Sequence, residues 1–191
     1  MIQKFIFKET KIPNLIEITP FNATDVRGCF TKDYSKEIFE ANGIQYDLAE
    51  VFYTTSYKGV IRALHFQRVM QQPKLVRCIW GHVYDVVVDL RVNSPTFKQW
   101  IGFNLVGDSH NEILVPAGCA HGYLVLKDSI VSYKCGEKFY SEYDDGIMWD
   151  DCDLAVDWPL EKIGGREKII IADKDKNLQT FAQFMKNHGG F

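Results

Sequence analysis

The pattern of apolar and polar positions is mixed over the first thirty residues and first resolves at Asp33 to Asn42 (DYSKEIFEAN), where Tyr34, Ile38 and Phe39 fall at helical spacing before Gly43. Side chains three and four apart share one face of a helix, and a glycine just past them ends it, so this stretch predicts a short amphipathic helix. From about Asp47 onward the texture changes. Residues Gln72 to Val92 (QPKLVRCIWGHVYDVVVDLRV) read as two β-branched and aromatic-rich segments hinged near Gly81-His82, which predicts a hairpin. Further strand-like runs follow at Trp100–Val106, Glu112–Val115, Gly122–Leu126 and Ser129–Cys135, separated by turns containing Gly, Asp, Asn or Pro. Short strands with regular turn punctuation predict an all-β sandwich or barrel, and a jelly roll is the common form that places a pocket inside. Near the C-terminus Leu178, Phe181, Ala182 and Met185 recur at i, i+3, i+4 and i+7, predicting a terminal amphipathic helix stopped by Gly189-Gly190.

Composition narrows the class. At 191 residues the chain can bury one sizeable core, so one domain over 1–191 is expected, with segments of about 1–45 and about 160–191 packing around the β middle. The N-terminus (MIQKFIFKE) is interrupted by charge too early for a signal peptide, and no run approaches membrane-spanning length. Five widely spaced cysteines, Cys29, Cys78, Cys119, Cys135 and Cys152, show no zinc or redox spacing and read as free thiols of a reducing cytoplasm. A formal charge of −3 argues against nucleic acid as a partner. Any anionic ligand must then be held by a few convergent side chains, for which the bidentate fork of Arg suits a diphosphate best.

Candidate chemistry is densest at Gly59-Val60-Ile61-Arg62-Ala63-Leu64-His65-Phe66-Gln67, followed by Lys74. Strand alternation puts His65 and Gln67 on one face with Ile61 and Ala63, and Arg62 with Leu64 on the other. A pocket-facing His can act as a base near neutral pH, whereas an isolated His is more often a hydrogen-bonded structural group. Asp85 and Asp89 lie four apart inside an apolar run, where carboxylates need partners. Either they pair with an Arg such as Arg77 or Arg91, or one of them lines a pocket beside His65 or Lys74. Tyr133 taken alone reads as core or rim packing; facing His65 across a cavity, its phenol stays protonated at neutral pH and can serve as an acid. Pro116-Ala117-Gly118-Cys119-Ala120-His121 resembles the second cupin motif, but Gln67 stands where a second His of the first motif belongs. Three or four metal ligands cannot be assembled from the five histidines, so no metal and no cofactor is expected, and His121 reads as structural or as a pocket-lining donor.

Taken together, these motifs resemble the dTDP-4-dehydrorhamnose 3,5-epimerase family of cupin-fold enzymes. The likeness runs from Asp25-Val26-Arg27-Gly28-Cys29-Phe30 to Ile171-Ala172-Asp173-Lys174-Asp175, through Asp85-Val86-Val87-Val88-Asp89-Leu90-Arg91, Tyr133-Lys134-Cys135, Gly146-Ile147-Met148-Trp149-Asp150-Asp151 and Asp157-Trp158-Pro159. It implies a metal-free homodimer with a cupin jelly roll that epimerises a nucleotide-diphosphate keto-sugar. It further implies His65 as base oriented by Asp175, Tyr133 as the opposing acid, and Lys74 as stabiliser of the enolate oxygen. Arg27 and Arg62 match diphosphate-binding positions, while Gln67, Asp85 and His121 match pocket-lining ones.

Departures from the family pattern fall where its members contact the nucleotide. Glu50-Val51-Phe52-Tyr53-Thr54 stands where Gln-x-Asn-x-Ser is common, and Phe30-Thr31-Lys32 where Phe-x-Glu is common. Glu50, Phe52, Phe30 and Lys32 are therefore expected to set which nucleotide is read, because a polar site tuned to one edge is left unpaired by another. Ala63 also replaces the usual Gly of Arg-Gly-Leu-His. The leading expectation is inversion at both carbons flanking the ketone. The alternatives are a single-centre epimerase or ketoisomerase on a sugar nucleotide other than dTDP, or a non-catalytic sugar-nucleotide-binding cupin.

Overall fold

Two strands, β7 (Lys74–Asp89) and β10 (Cys119–Cys135), are far longer than the others and pair antiparallel along nearly their whole length. The structure, a computed structural model, describes residues 3–191; Met1 and Ile2 of the N-terminal segment lie outside the described residues. At one end of the long pair, β9 (Glu112–Val115) adds to β7 and β5 (Glu50–Ser56) adds to β10. Beyond β9 lie β2 (Ile16–Thr19) and then β1 (Ile6–Glu9). At the other end β8 (Trp100–Val106) adds to β7, β6 (Ile61–Gln67) to β10, and β11 (Asp144–Gly146) to β6. The result is an antiparallel jelly roll of two leaves that share β7 and β10.

The predicted hairpin at Gly81-His82 is not formed, because β7 runs straight through it. Gly81 adopts φ +90°, and a Cβ there would collide with the Asp128 carbonyl oxygen. At the same level the register of β10 slips between Val125 and Val131, so the predicted runs Gly122–Leu126 and Ser129–Cys135 are two halves of one strand. A glycine between two β-branched runs signals a turn, but it equally marks a bulge in a continuous strand. Here the bulge changes parity: Val76 and Cys78 face the inner core before it, Val83 and Val87 after it.

That inner core, which includes Val76, Val87, Leu105, Ile113, Tyr123 and Val131, fills the space between the leaves. The outer face of the β6–β10–β7–β8 leaf is covered by the C-terminal third, where Leu154, Trp158, Ile163, Phe181 and Phe184 pack on Ala63, Leu64, Val86 and Leu124. The outer face of the other leaf is covered in part by α1 (Lys36–Ala41), whose Phe39 meets Phe5, Ile18, Tyr46, Leu75 and Leu114. Phe39 and Phe184 are fully buried, and each contributes roughly 2 to 3 kcal/mol of hydrophobic stabilisation.

The sequence places both helices well. Asn42 and Gly43, the latter at φ +78°, end α1 where expected. The C-terminal helix, α3 (Phe181–His188), starts later than the periodicity predicts, because Thr180 and Gln183 form a capping box that fixes its first turn. Leu178 therefore lies outside it, packed near Gly146. A short α2 (Asp173–Lys176) precedes α3. The remaining strands, β3 (Phe21–Asp25) and β4 (Gly28–Lys32), form a separate two-stranded hairpin. No helix among the described residues is long and apolar enough to cross a membrane.

Candidate active site

The space between the leaves is not filled throughout. A cavity of about 570 Å³ opens beside β5, β6 and the start of β7. Strand alternation on β5 turns Glu50, Phe52 and Thr54 toward it and leaves Val51 and Tyr53 on the exposed outer face. On β6 the alternation expected from the sequence fails. The register against β10 shifts between His121 and Tyr123, so that Tyr123 pairs with Arg62 but His121 pairs with His65. Two residues of β10 thus span three of β6. Ala63 and Leu64 both turn to the outer core, and Arg62 joins His65 and Gln67 on the cavity side, not the opposite face. Lys74 enters from β7, His121 and Tyr133 from β10, and Asp175 from α2.

Two histidine–aspartate pairs stand side by side as a result. His65 Nε2 is 3.3 Å from Asp175 Oδ2, joining residues 110 apart in the chain. The neighbouring His121 Nε2 lies 2.9 Å from each Asp85 oxygen. If each Nε2 carries the proton shared with its carboxylate, Nδ1 is the free basic nitrogen. His65 is partly exposed to the cavity, whereas Asp175 is almost wholly covered.

The titrating groups divide by environment. Burial pushes the Tyr133 phenol well above its usual value, reinforced by Tyr123 and Asp85 and opposed by Arg62. The phenol therefore stays protonated. The same desolvation lowers the Lys74 ammonium below the ordinary lysine value, although Cys135, Asp144 and Asp85 pull it back. Asp85 is raised by burial, against the pull of His121 and Lys74. Tyr133 is held from two sides: its ring lies parallel to that of Phe52 at 4.8 Å and edge-on to His121 at 6.0 Å.

Several residues expected in the pocket are placed otherwise. Asp85 is fully buried behind His121 and reaches the cavity only through it. Asp89 takes the structural alternative, bound by Arg91 at 2.8 Å and by Ser94 and Thr96. Gln67 lines the cavity, but its amide donates to the Met70 and Lys138 carbonyls and accepts from the Tyr140 N–H, so it anchors two loops. Glu50 Oε1 is likewise engaged, by Gln72 and by the Phe139 N–H. Arg62 donates to Ser56 Oγ at 3.2 Å and keeps the rest of its fork for the cavity.

Arg27, Phe30 and Lys32 do not reach this cavity. They lie on the β3–β4 hairpin, which forms a two-stranded sheet of its own apart from the main sheet, and none of them lines the cavity. Arg27 pairs with Asp25 at the exposed turn, Lys32 donates to Gln3, and Phe30 stands more than half exposed.

Thr54, Gln72, Tyr123, Asp144 and Lys174 also belong to the site or touch it, and they were not singled out from the sequence. Period-two spacing from Phe52 could have marked Thr54; Lys174 and Asp144 meet only through the fold, at 2.7 Å. Among the described residues no three His, Cys, Asp or Glu side chains converge as metal ligands.

Comparison with known proteins bears on this arrangement. The family model described as dTDP-4-dehydrorhamnose 3,5-epimerase matches residues 9–183. The dTDP-4-dehydrorhamnose 3,5-epimerase of Methanothermobacter thermautotrophicus is 44% identical over 181 residues, 94% of this chain and 96% of the relative. A solved epimerase of Mycobacterium tuberculosis superposes with a TM-score of 0.90 at 36% identity, covering 95% of this chain and 91% of its own. A dTDP-6-deoxy-D-glucose-3,5-epimerase of Legionella pneumophila, solved in complex with dTDP-4-keto-L-rhamnose, has a TM-score of 0.87 at 35% identity and 93% coverage of both chains.

Proposed function

Because the chain belongs to the dTDP-4-dehydrorhamnose 3,5-epimerase family, it is a cupin-fold isomerase acting on nucleotide-linked keto-deoxyhexoses, and we propose that His65, Asp175, Lys74 and Tyr133 carry the reaction. The observation that supports this reading is the convergence of a base, a cation and a protonated phenol on one cavity. A carbon next to a ketone is a weak acid, so removing its proton requires a placed base and positive charge at the oxygen where the electrons collect. His65 takes the proton, and Asp175 stabilises the imidazolium. The Lys74 ammonium faces the developing enolate oxygen. Tyr133 returns a proton to the other face of the carbon, which inverts it, and the same sequence at the second flanking carbon completes the 3,5-epimerisation. Arg62 takes a diphosphate oxygen. His121, held by Asp85, lines the sugar site.

We assign Arg27, Phe30 and Lys32 to the nucleotide end of a partner's cavity. Their place on an exposed hairpin remote from their own cavity supports a homodimer in which each hairpin completes the neighbouring site. The chain acts as one domain, its N- and C-terminal segments packed around the jelly roll, and its five free cysteines suit the cytoplasm.

Incubation with dTDP-4-keto-6-deoxyglucose in heavy water tests the chemistry. Deuterium at carbons 3 and 5 is expected; label at one carbon would make the enzyme a single-centre epimerase, and no label would move the search to GDP-, CDP- and UDP-linked sugars. Mixing inactive His65→Ala and Arg27→Ala proteins tests the shared site. Activity returns if mixed dimers form one intact cavity, and stays absent if each subunit is self-sufficient.

A further inference from the structure

The aromatic side chain of Phe52 departs from the family pattern, and the fold sets it against the acid. Phe52 lies directly opposite Tyr133 in the β5–β10 ladder, and directly opposed side chains on one face are the closest neighbours in a sheet. Their rings stack at 4.8 Å with 17° between the planes, while His121 meets the Tyr133 ring at 6.0 Å and 79°. Both separations fall within the range that aromatic pairs favour. His121 is itself fixed, its Nε2 2.9 Å from each Asp85 oxygen. Tyr133 belongs to the inner core, whereas Phe52 lies outside it on a strand bonded to β10 alone, with 39% of its surface exposed. The mechanism above gives Phe52 no part.

Building on the assignment of Tyr133 as the acid, we propose that Phe52 is a positioning residue, whose stacked ring holds the Tyr133 phenol opposite His65 and so decides whether a deprotonated carbon regains its proton with inversion or with retention. An enolate carbon is flat and accepts a proton on either face. If His65 returns the proton it took, the C–H bond re-forms on the original face and nothing is inverted. If instead the Tyr133 O–H bond breaks as a C–H bond forms on the opposite face, the centre inverts. The product is settled by a race between two donors. His65 already stands where it took the proton, whereas Tyr133 competes only while its hydroxyl is within hydrogen-bond reach of the carbon. A parallel partner confines the phenol ring to movement in its own plane, and the edge contact with His121 restricts that movement in turn. Over each inversion His65 gains a proton and Tyr133 loses one, and exchange with water restores both. The face of Phe52 that lies on Tyr133 is not free to stack on a nucleobase, so the departure at this position acts on proton return.

The test compares Phe52→Leu, Phe52→Asn and Phe52→Tyr with wild type in heavy water, using dTDP-4-keto-6-deoxyglucose under single-turnover conditions. The quantity read is deuterium in sugar of unchanged configuration divided by deuterium in inverted sugar. Retained label is measurable because His65 is partly exposed to the cavity and can exchange its proton before returning it. In Phe52→Leu and Phe52→Asn this ratio should rise about 2- to 12-fold, the span to which the worth of an aromatic pair converts. Phe52→Tyr, which keeps the ring, should keep the wild-type ratio. An unchanged ratio in both ring-free variants overturns the proposal: a rise in KM alone would mean that Phe52 contacts the substrate, and an equal fall in both kinds of label would mean that it serves packing only. A raised ratio in Phe52→Tyr would equally overturn it, since the ring would then not be the cause. A wild type that labels neither carbon of any nucleotide-linked keto-sugar overturns the epimerase reading on which the proposal rests, a result distinct from an unchanged ratio in variants of a wild type that labels.

Discussion

Removing the charge of Asp175 without changing its shape isolates the support given to the base. The carboxylate lies 3.3 Å from His65 Nε2, with its side chain 6% exposed. Opposite unit charges at that separation attract by roughly 5 kcal/mol at an effective dielectric of about 20. That figure is an upper bound, because His65 is positive only after it has taken the proton and the cavity admits water. The range for hydrogen bonds to charged groups, about 1.5 to 3 kcal/mol, is the better guide. Asp175→Asn should therefore lower kcat about 10- to 150-fold. KM should change little, since the lost interaction strengthens on the way to the transition state and is weak before it. The assay is single-turnover loss of carbon-bound hydrogen into heavy water, which reports on the base without waiting for product release. A fall of less than about threefold in that rate, or a defect confined to KM, would refute the pairing as a catalytic device.

Three other perturbations follow from the same structure. Desolvation lowers the Lys74 pKa, so its charge is lost as pH rises through a value below 10.5, and kcat should fall on that alkaline limb; in Lys74→Arg the limb should move out of range, and a limb unchanged in the variant would rule Lys74 out. Both Glu112 carboxylate oxygens are buried without a hydrogen-bond partner among the described residues, and burial, then Asp33, raises its pKa well above 4.5 against Lys134 and Arg77. A raised folded pKa means that folding favours the protonated acid, so stability present near pH 4 is lost as pH climbs toward the raised value; Glu112→Gln should match wild type near pH 4 and exceed it by about 1 to 3 kcal/mol near pH 8 in urea unfolding, and equal stability at both would contradict this. Gly81→Ala should cost at least about 2 kcal/mol, because φ +90° and the Asp128 carbonyl both exclude a Cβ; an unshifted urea midpoint would show that the bulge relaxes.

Much of the architecture was legible because burial follows periodicity. Trp100–Val106 and Glu112–Val115 form strands with the predicted bounds, since each is a short run with turn residues on both sides. Two of the errors share one cause. At Gly81 and at Ala63-Leu64 a strand continues while its inward phase changes, and pairwise alternation has no memory of such a slip. Both slips are set by the partner strand β10, a long-range contact that a local pattern does not contain.

The consequence for the site is larger than for the fold. Without the shift between His121 and Tyr123, Arg62 would point into the outer core and the cavity would lose a cation; with it, Arg62 and His65 line one cavity although they stand three positions apart on the strand. Asp175 was legible only by family resemblance, because the pair with His65 spans 110 positions and no spacing rule reaches that far. Arg27, Phe30 and Lys32 present the opposite case. The resemblance assigns them to the nucleotide, while the chain's own fold keeps them off the cavity, a conflict that the proposed two-fold pair would resolve. The bulge thus brings Arg62 and His65 to one cavity within a single chain, whereas of the two residues that depart from the family pattern, Phe52 lines that cavity and Lys32 lies off it.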